Sequence, residues 1–171
     1  TKRLLQQDKE GSETMDTVVK EYHLRNPEKD AMTYINALKR EAKGHLLEAL
    51  GSQGAVYSHI LEQNAKGKIR AWYNATGSLI GLLMFDIGKL WWTDKVVVME
   101  ESVFCIDTSY SGIQREAIKE LERVARGYEA ELIISGNVLS TGKTERLVLN
   151  GYKKAGFQPI CTDMVKVVAY E

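Results

Sequence analysis

Hydrophobic spacing changes several times along the chain. From Met15, the apolar positions Met15, Val18, Val19 and Tyr22 recur at helical intervals until Asn26-Pro27 interrupts them, which predicts one short helix. Pro27 suits the first turn of the next helix, and Glu28 and Asp30 complement its positive end. Met32, Ile35, Leu38, Ala42, Leu46, Leu47 and Leu50 then form a stripe, predicting a longer helix that ends at Gly51 to Gly54. The middle of the chain is strand-like. Ile69–Tyr73 leads through Asn74-Ala75-Thr76-Gly77 into Ser78–Phe85, two strands joined by a glycine-bearing turn. Leu90-Trp91-Trp92, Val96–Met99 and Ser102–Ile106 continue the apolar pattern as far as Asp107-Thr108-Ser109, with the two tryptophans read chiefly as core aromatics.

After Gly112 the helical period returns. Ile113, Ala117, Ile118, Leu121, Val124 and Ala125 line one face of a helix that Gly127 is placed to stop. A strand over Glu131–Ser135, a long polar loop, a helix from about Thr144 to Ala155 and a last strand near Met164–Val168 complete the pattern. Helices, a β-meander and then βαβαβ predict an α/β (α+β) fold, a central mixed, largely antiparallel twisted sheet flanked by helices. Residues 1–13 are polar, with only Leu4 and Leu5 to bury, and read as a flexible or partner-binding arm. Residues 14–171 read as a single domain, which fits a 171-residue chain that is 44% hydrophobic.

Charge then narrows the partners. Lys+Arg 23 against Asp+Glu 23 leaves no net field to attract nucleic acid or an anionic membrane, so neither is expected and any anionic ligand must be held locally. Cys105 and Cys161 each sit in an apolar run and read as buried thiols of a reducing, cytoplasmic compartment. No apolar stretch approaches the roughly 20 residues a bilayer span needs. The histidines His23, His45 and His59 are scattered, and no ligand spacing predicts a metal.

Two stretches resemble phosphate sites. Gly136–Thr144 follows a strand and precedes a helix as a nucleotide-binding loop would, but Asn137 to Thr141 puts five residues before the Gly142-Lys143 pair where such a loop has four. The junction Val103–Gln114 joins a strand to an amphipathic helix through Gly112, aiming free amides and a positive helix end at one point. An ordinary strand-to-helix turn would also place a glycine there.

Taken with the strand that carries Asn137 beyond Ile133-Ile134 and with Asn150-Gly151-Tyr152-Lys153-Lys154-Ala155-Gly156-Phe157, this junction resembles the Gcn5-related N-acetyltransferase (GNAT) superfamily over roughly Pro27 to Val168. The tyrosine-x-x-x-glycine-phenylalanine ending is the most recognisable part. The resemblance implies acetyl-CoA as cofactor, with Phe104, Cys105 and Ile106 along the pantetheine arm, Ser111, Gly112, Ile113 and Gln114 around the pyrophosphate, and Asn137 on the following strand. Of the family's Arg/Gln-x-x-Gly-x-Gly/Ala pattern only the middle glycine is present: Ser109 replaces the basic or amide residue and Gln114 the final tiny one. It further implies that Tyr152 protonates the departing thiolate and that Glu101, placed as in the histone-acetylating branch, is the general base. Regular strand alternation would turn Glu100 to the opposite face, so that only one of the pair lines the cleft.

Two functions follow from the resemblance. One is an N-acetyltransferase acting on the amine of a small molecule or a protein, often as a homo-oligomer in this family. The other is a GNAT-like binding or structural protein without catalysis, for which the abbreviated phosphate motif is loosely similar to GNAT-like proteins of T7-like bacteriophages, some of them virion components.

Overall fold

A computed structural model describes residues 18–44, 48, 51–136 and 142–160. One five-stranded sheet runs in the order β1 (Val19–Glu21), β2 (Ile69–Tyr73), β3 (Leu79–Gly88), β4 (Val97–Cys105) and β5 (Leu132–Ile134). The first four strands pair antiparallel, and β5 joins β4 in parallel. Among the described residues four helices accompany them: α1 (Pro27–Ala42), α2 (Gln53–Ala65), α3 (Ile113–Gly127) and α4 (Gly142–Lys154).

Both faces of the sheet are covered. Tyr34, Ile35 and Ile60 of α1 and α2 pack on Ile69, Leu82 and Met84, while Ile113, Leu121 and Val124 of α3 pack on Leu83, Phe85 and Val98. Helix α4 lies beside α3. Double coverage is why β2 is buried at every position instead of alternating. Helix α1 begins where the sequence predicts, with Asn26 capping Lys29 N at 3.2 Å and Pro27 in the first turn. The buried Asp30 accepts from Tyr73 OH at 2.6 Å, tying this helix start to β2.

Three expectations are corrected. The first predicted helix is instead strand β1, with Val19, Lys20 and Glu21 opposite Tyr73, Trp72 and Ala71. Pairing with the edge of β2 outweighs a four-residue periodicity, and Val18 and Val19 are β-branched. Lys20 also reaches the buried Glu120 of α3, which binds Arg70 and Arg123 as well. The second helix ends at Ala42, and the separate helix α2, capped by Ser52 on Ala55 N, carries Gly54 in its first turn. Trp91 and Trp92 are 96% and 52% exposed, because β3 ends at Gly88 and the pair stands in the turn before β4. The arm over 1–13, Met15, Leu46, Leu47, Leu50, Cys161 and the strand expected near Met164–Val168 lie outside the described residues.

One glycine seats α3 on the sheet. A Cβ added at Gly81 of β3 would lie 2.7 Å from Ile113 Cγ2, and Ile113, the first residue of α3, is fully buried. Gly81→Ala should therefore push the helix start outward and destabilise the protein by about 1–3 kcal/mol. Thermal unfolding checks this, and an unchanged midpoint would contradict the close approach.

Candidate functional site

Sheet pairing opens at the site. β4 and β5 pair only at Val97↔Leu132, Val98↔Ile133 and Met99↔Ile134, whereas β4 stays paired with β3 as far as Cys105. Among the described residues no strand pairs with the β5 side of β4 beyond Met99, which leaves an open edge there. A cleft of about 790 Å³ lies along it, lined by Tyr34, Glu41 and His59 from the α1/α2 layer and by Gln114, Val148 and Tyr152 from the α3/α4 layer.

A bulge sets the carboxylates of this edge. Met84 stands opposite Ser102 and Phe85 opposite Glu100, which leaves Glu101 as the extra residue. Glu101 and Ser102 consequently both face α1 and α2. Glu101 Oε2 is 2.7 Å from His59 Nε2, Gln63 Nε2 donates to both Glu101 oxygens at 3.0 Å, and Ser102 Oγ is 2.8 Å from Tyr34 OH. Glu100 faces the other layer. There its carboxylate accepts from Tyr152 OH at 2.8 and 2.6 Å and from Ser135 Oγ at 2.7 Å. The two glutamates do point to opposite faces, as alternation predicts, but both line the cleft because the cleft passes through the sheet edge. The expectation that only one could do so is corrected.

Burial pushes the Glu100 carboxyl above the usual carboxylate range, and the hydrogen bonds from Tyr152 and Ser135 offset this in part. Burial likewise raises the Tyr152 phenol, and the Glu100 charge beside it adds to the rise. Tyr152 is thus firmly protonated.

Its position follows from the end of α4. Gly156 adopts φ 91°, Phe157 N donates to Tyr152 O at 3.0 Å and Gly156 N to Lys153 O at 3.0 Å, a left-handed helix cap that only glycine adopts readily. The Phe157 ring then packs edge-on to the Tyr152 ring at 5.2 Å. This is the physical content of the tyrosine-x-x-x-glycine-phenylalanine ending: the glycine turns the chain back and the phenylalanine fixes the tyrosine.

The strand-to-helix junction leaves free backbone amides at the start of α3. Gly112 caps α3 in a left-handed conformation with φ 98° and no side chain satisfies the helix start, so the first amides of α3 have no partner within the helix. Ser111, Gly112, Ile113 and Gln114 are brought together here. Ile113 presents only its backbone at this junction, its side chain lying on Gly81. Gln114 turns away from the amides: its Nε2 donates to Val148 O at 2.9 Å, and its carboxamide lies against Gly151, leaving no room there for a side chain. Asp107 folds the loop by accepting from Ser109 N at 3.0 Å and Ser109 Oγ at 2.7 Å.

Along the strand, Phe104 and Cys105 line the cleft, the Phe104 ring packing on Tyr34 at 5.5 Å. Burial raises the Cys105 thiol, which donates to Asp107 O at 3.2 Å. Ile106 N is already bonded to Ile80 O at 2.8 Å. Ladder alternation then directs the backbone of Phe104 and Ile106 toward β3, and that of Val103 and Cys105 toward the open edge. Of Phe104, Cys105 and Ile106, only Cys105 therefore has its backbone on the open edge, beside that of Val103. Asn137 lies outside the described residues.

Sequence reasoning missed His59, Gln63, Ser135 and the contribution of Glu100. His59 and Gln63 stand on the unpredicted helix α2, and Ser135 follows β5 as a lone serine with no motif around it. Among the described residues no group of His, Cys, Asp and Glu is arranged to hold a metal ion, and no helix is long and apolar enough to cross a membrane.

No family model and no curated protein sequence matches the chain. Solved structures do. A Trypanosoma brucei acetyltransferase is 21% identical with a TM-score of 0.58 over 88% of this chain and 99% of its own. A GCN5-related N-acetyltransferase from Ralstonia eutropha JMP134 is 14% identical with a TM-score of 0.61 over 88% and 97%. An aminoglycoside N-acetyltransferase in complex with CoA is 16% identical with a TM-score of 0.55 over 90% and 92%. The chain therefore has the fold of the GNAT acetyltransferases.

Proposed function

We propose that this protein is an acetyl-CoA dependent N-acetyltransferase that acetylates an amine. One observation carries the reading: the open edge of β4 lies between an uncapped helix start and a buried tyrosine, with a carboxylate on each side of the strand. Acetyl-CoA would supply the acetyl group as a thioester. Gly112 to Gln114 would hold its pyrophosphate, and the open-edge amides of Val103 and Cys105 would hold the pantetheine arm and the acetyl oxygen.

The chain's own residues divide the chemistry by layer. On the α1/α2 side Glu101, oriented by Gln63 and His59, takes the proton from the attacking amine. On the α3/α4 side Tyr152 gives a proton to the departing sulfur. The described lining residues include Glu41, Glu100 and Glu101 and neither lysine nor arginine, which supports a cationic acceptor. A lysine peptide, a simple diamine and an aminoglycoside are the acceptors to try, the last on structural likeness alone.

Release of the CoA thiol from acetyl-CoA, followed together with the mass of the amine, tests the reading. Acetylated amine should appear in step with free thiol. A protein that neither binds acetyl-CoA nor releases thiol from it overturns the proposal. It would favour the second reading, a binding protein that kept the fold, for which the Asp107 carboxylate in the anion loop is the supporting observation.

A further inference from the structure

We infer that Glu100 is the proton partner of Tyr152, and that Glu100 and Glu101 together hold one proton that changes sides during each turnover. The inference rests on the acetyl-transfer reading. Its geometric basis is that the Tyr152 hydroxyl oxygen lies 2.8 and 2.6 Å from the two Glu100 oxygens, so that tyrosine and carboxyl share a hydrogen bond. With Glu100 ionised, giving that hydrogen to sulfur would leave a phenolate against a carboxylate in a largely buried place, two like charges in contact. With Glu100 protonated the bond reverses. Glu100 donates to the tyrosine oxygen, the phenol hydrogen turns toward the cleft, and Ser135 stays on the second carboxyl oxygen.

The proton balance then closes. The amine lone pair forms the C–N bond to the acetyl carbon, and the C–S bond breaks with its electron pair on sulfur. Glu101 takes the proton lost by nitrogen, Tyr152 gives its proton to sulfur, and Glu100 replaces it. At the end Glu101 carries the proton and Glu100 does not. Because the two carboxyls lie on opposite faces of β4, a transfer from Glu101 to Glu100 through water in the cleft restores the starting state. The titratable groups facing the same cleft are Glu101 and Cys105 on β4, Tyr34 and Glu41 on α1, His59 on α2 and Tyr152 on α4, and no lysine or arginine among the described lining residues holds Glu100 ionised.

Glu100→Gln tests this, since the amide keeps the shape and a bond to Tyr152 but has no proton to give. Thiol release from acetyl-CoA, with water alone or with an added amine, should fall about tenfold to a hundredfold. The KM for acetyl-CoA should stay within about twofold, because the residue acts after binding. The inference predicts an alkaline fall in wild-type kcat as Glu100 ionises, and the glutamine variant should lack it. Glu100→Asp, which keeps a transferable proton, should recover part of the rate.

Stability should move the opposite way. A carboxyl raised in the folded state contributes stability at low pH that is lost as the pH rises through its folded value, so the glutamine variant should unfold at a higher temperature than wild type at alkaline pH, with the gain vanishing on acidification. A purely structural Glu100 would change the melting temperature and leave the kcat profile alone. Wild-type kcat with an unchanged alkaline limb in Glu100→Gln overturns the inference while leaving acetyl transfer intact. A wild-type protein without acetyl-CoA binding or thiol release overturns both.

Discussion

Gly112→Val should abolish acetyl-CoA binding at concentrations where wild type is saturated, a loss of at least about a hundredfold in affinity. Gly112 holds φ 98° at the start of α3, a conformation strongly disfavoured for a β-branched residue, with a strain on the order of 1–3 kcal/mol. The backbone relieves that strain by moving φ to negative values, which re-aims the amides of Gly112, Ile113 and Gln114 that would meet at the pyrophosphate. Most of the fold should survive, because α3 is held from Ala117 to Ala125 by its own buried face. Circular dichroism confirms the helices, and equilibrium titration measures the affinity. Wild-type affinity in the valine variant would remove the junction from the binding site.

Tyr152→Phe should reduce turnover by about a hundredfold to ten-thousandfold, the range for loss of a positioned general acid. The ring remains, so its edge-on contact with Phe157 at 5.2 Å and the capped end of α4 are kept. Glu100 loses one donor and retains Ser135, a change of about 1 kcal/mol in stability. Acetyl-CoA affinity should be nearly unaffected. Single-turnover kinetics separate the two terms, and an unchanged rate would take Tyr152 out of the mechanism.

What the sequence made legible was whatever rests on local physics. The α3 stripe from Ile113 to Ala125 announces itself by period, the β2–β3 hairpin by its Asn74–Gly77 turn, and the end of α4 by a glycine that a left-handed cap requires. Tyr152 was legible for the same reason, because Gly156 and Phe157 fix it from four and five residues away. Non-local determinants were not. Strand β1 exists because β2 offers an unpaired edge, and three residues of Val19–Glu21 carry no period of their own. The bulge that makes Glu101 an extra residue depends on the register between Met84 and Phe85, which the sequence of β4 alone does not encode. Trp91 and Trp92 look like core by composition and are exposed because the strand stops at Gly88. Gln114, a departure from the family's pattern in sequence, turns in the structure onto Val148 and Gly151 of α4, contacts across more than thirty residues of chain.

The central claim is that the open β4 edge and the uncapped start of α3 form one site for a CoA thioester, and isothermal titration of the wild-type protein with acetyl-CoA and with CoA tests it most directly. Micromolar binding of both is the predicted result, and an absence of heat at millimolar ligand would contradict it.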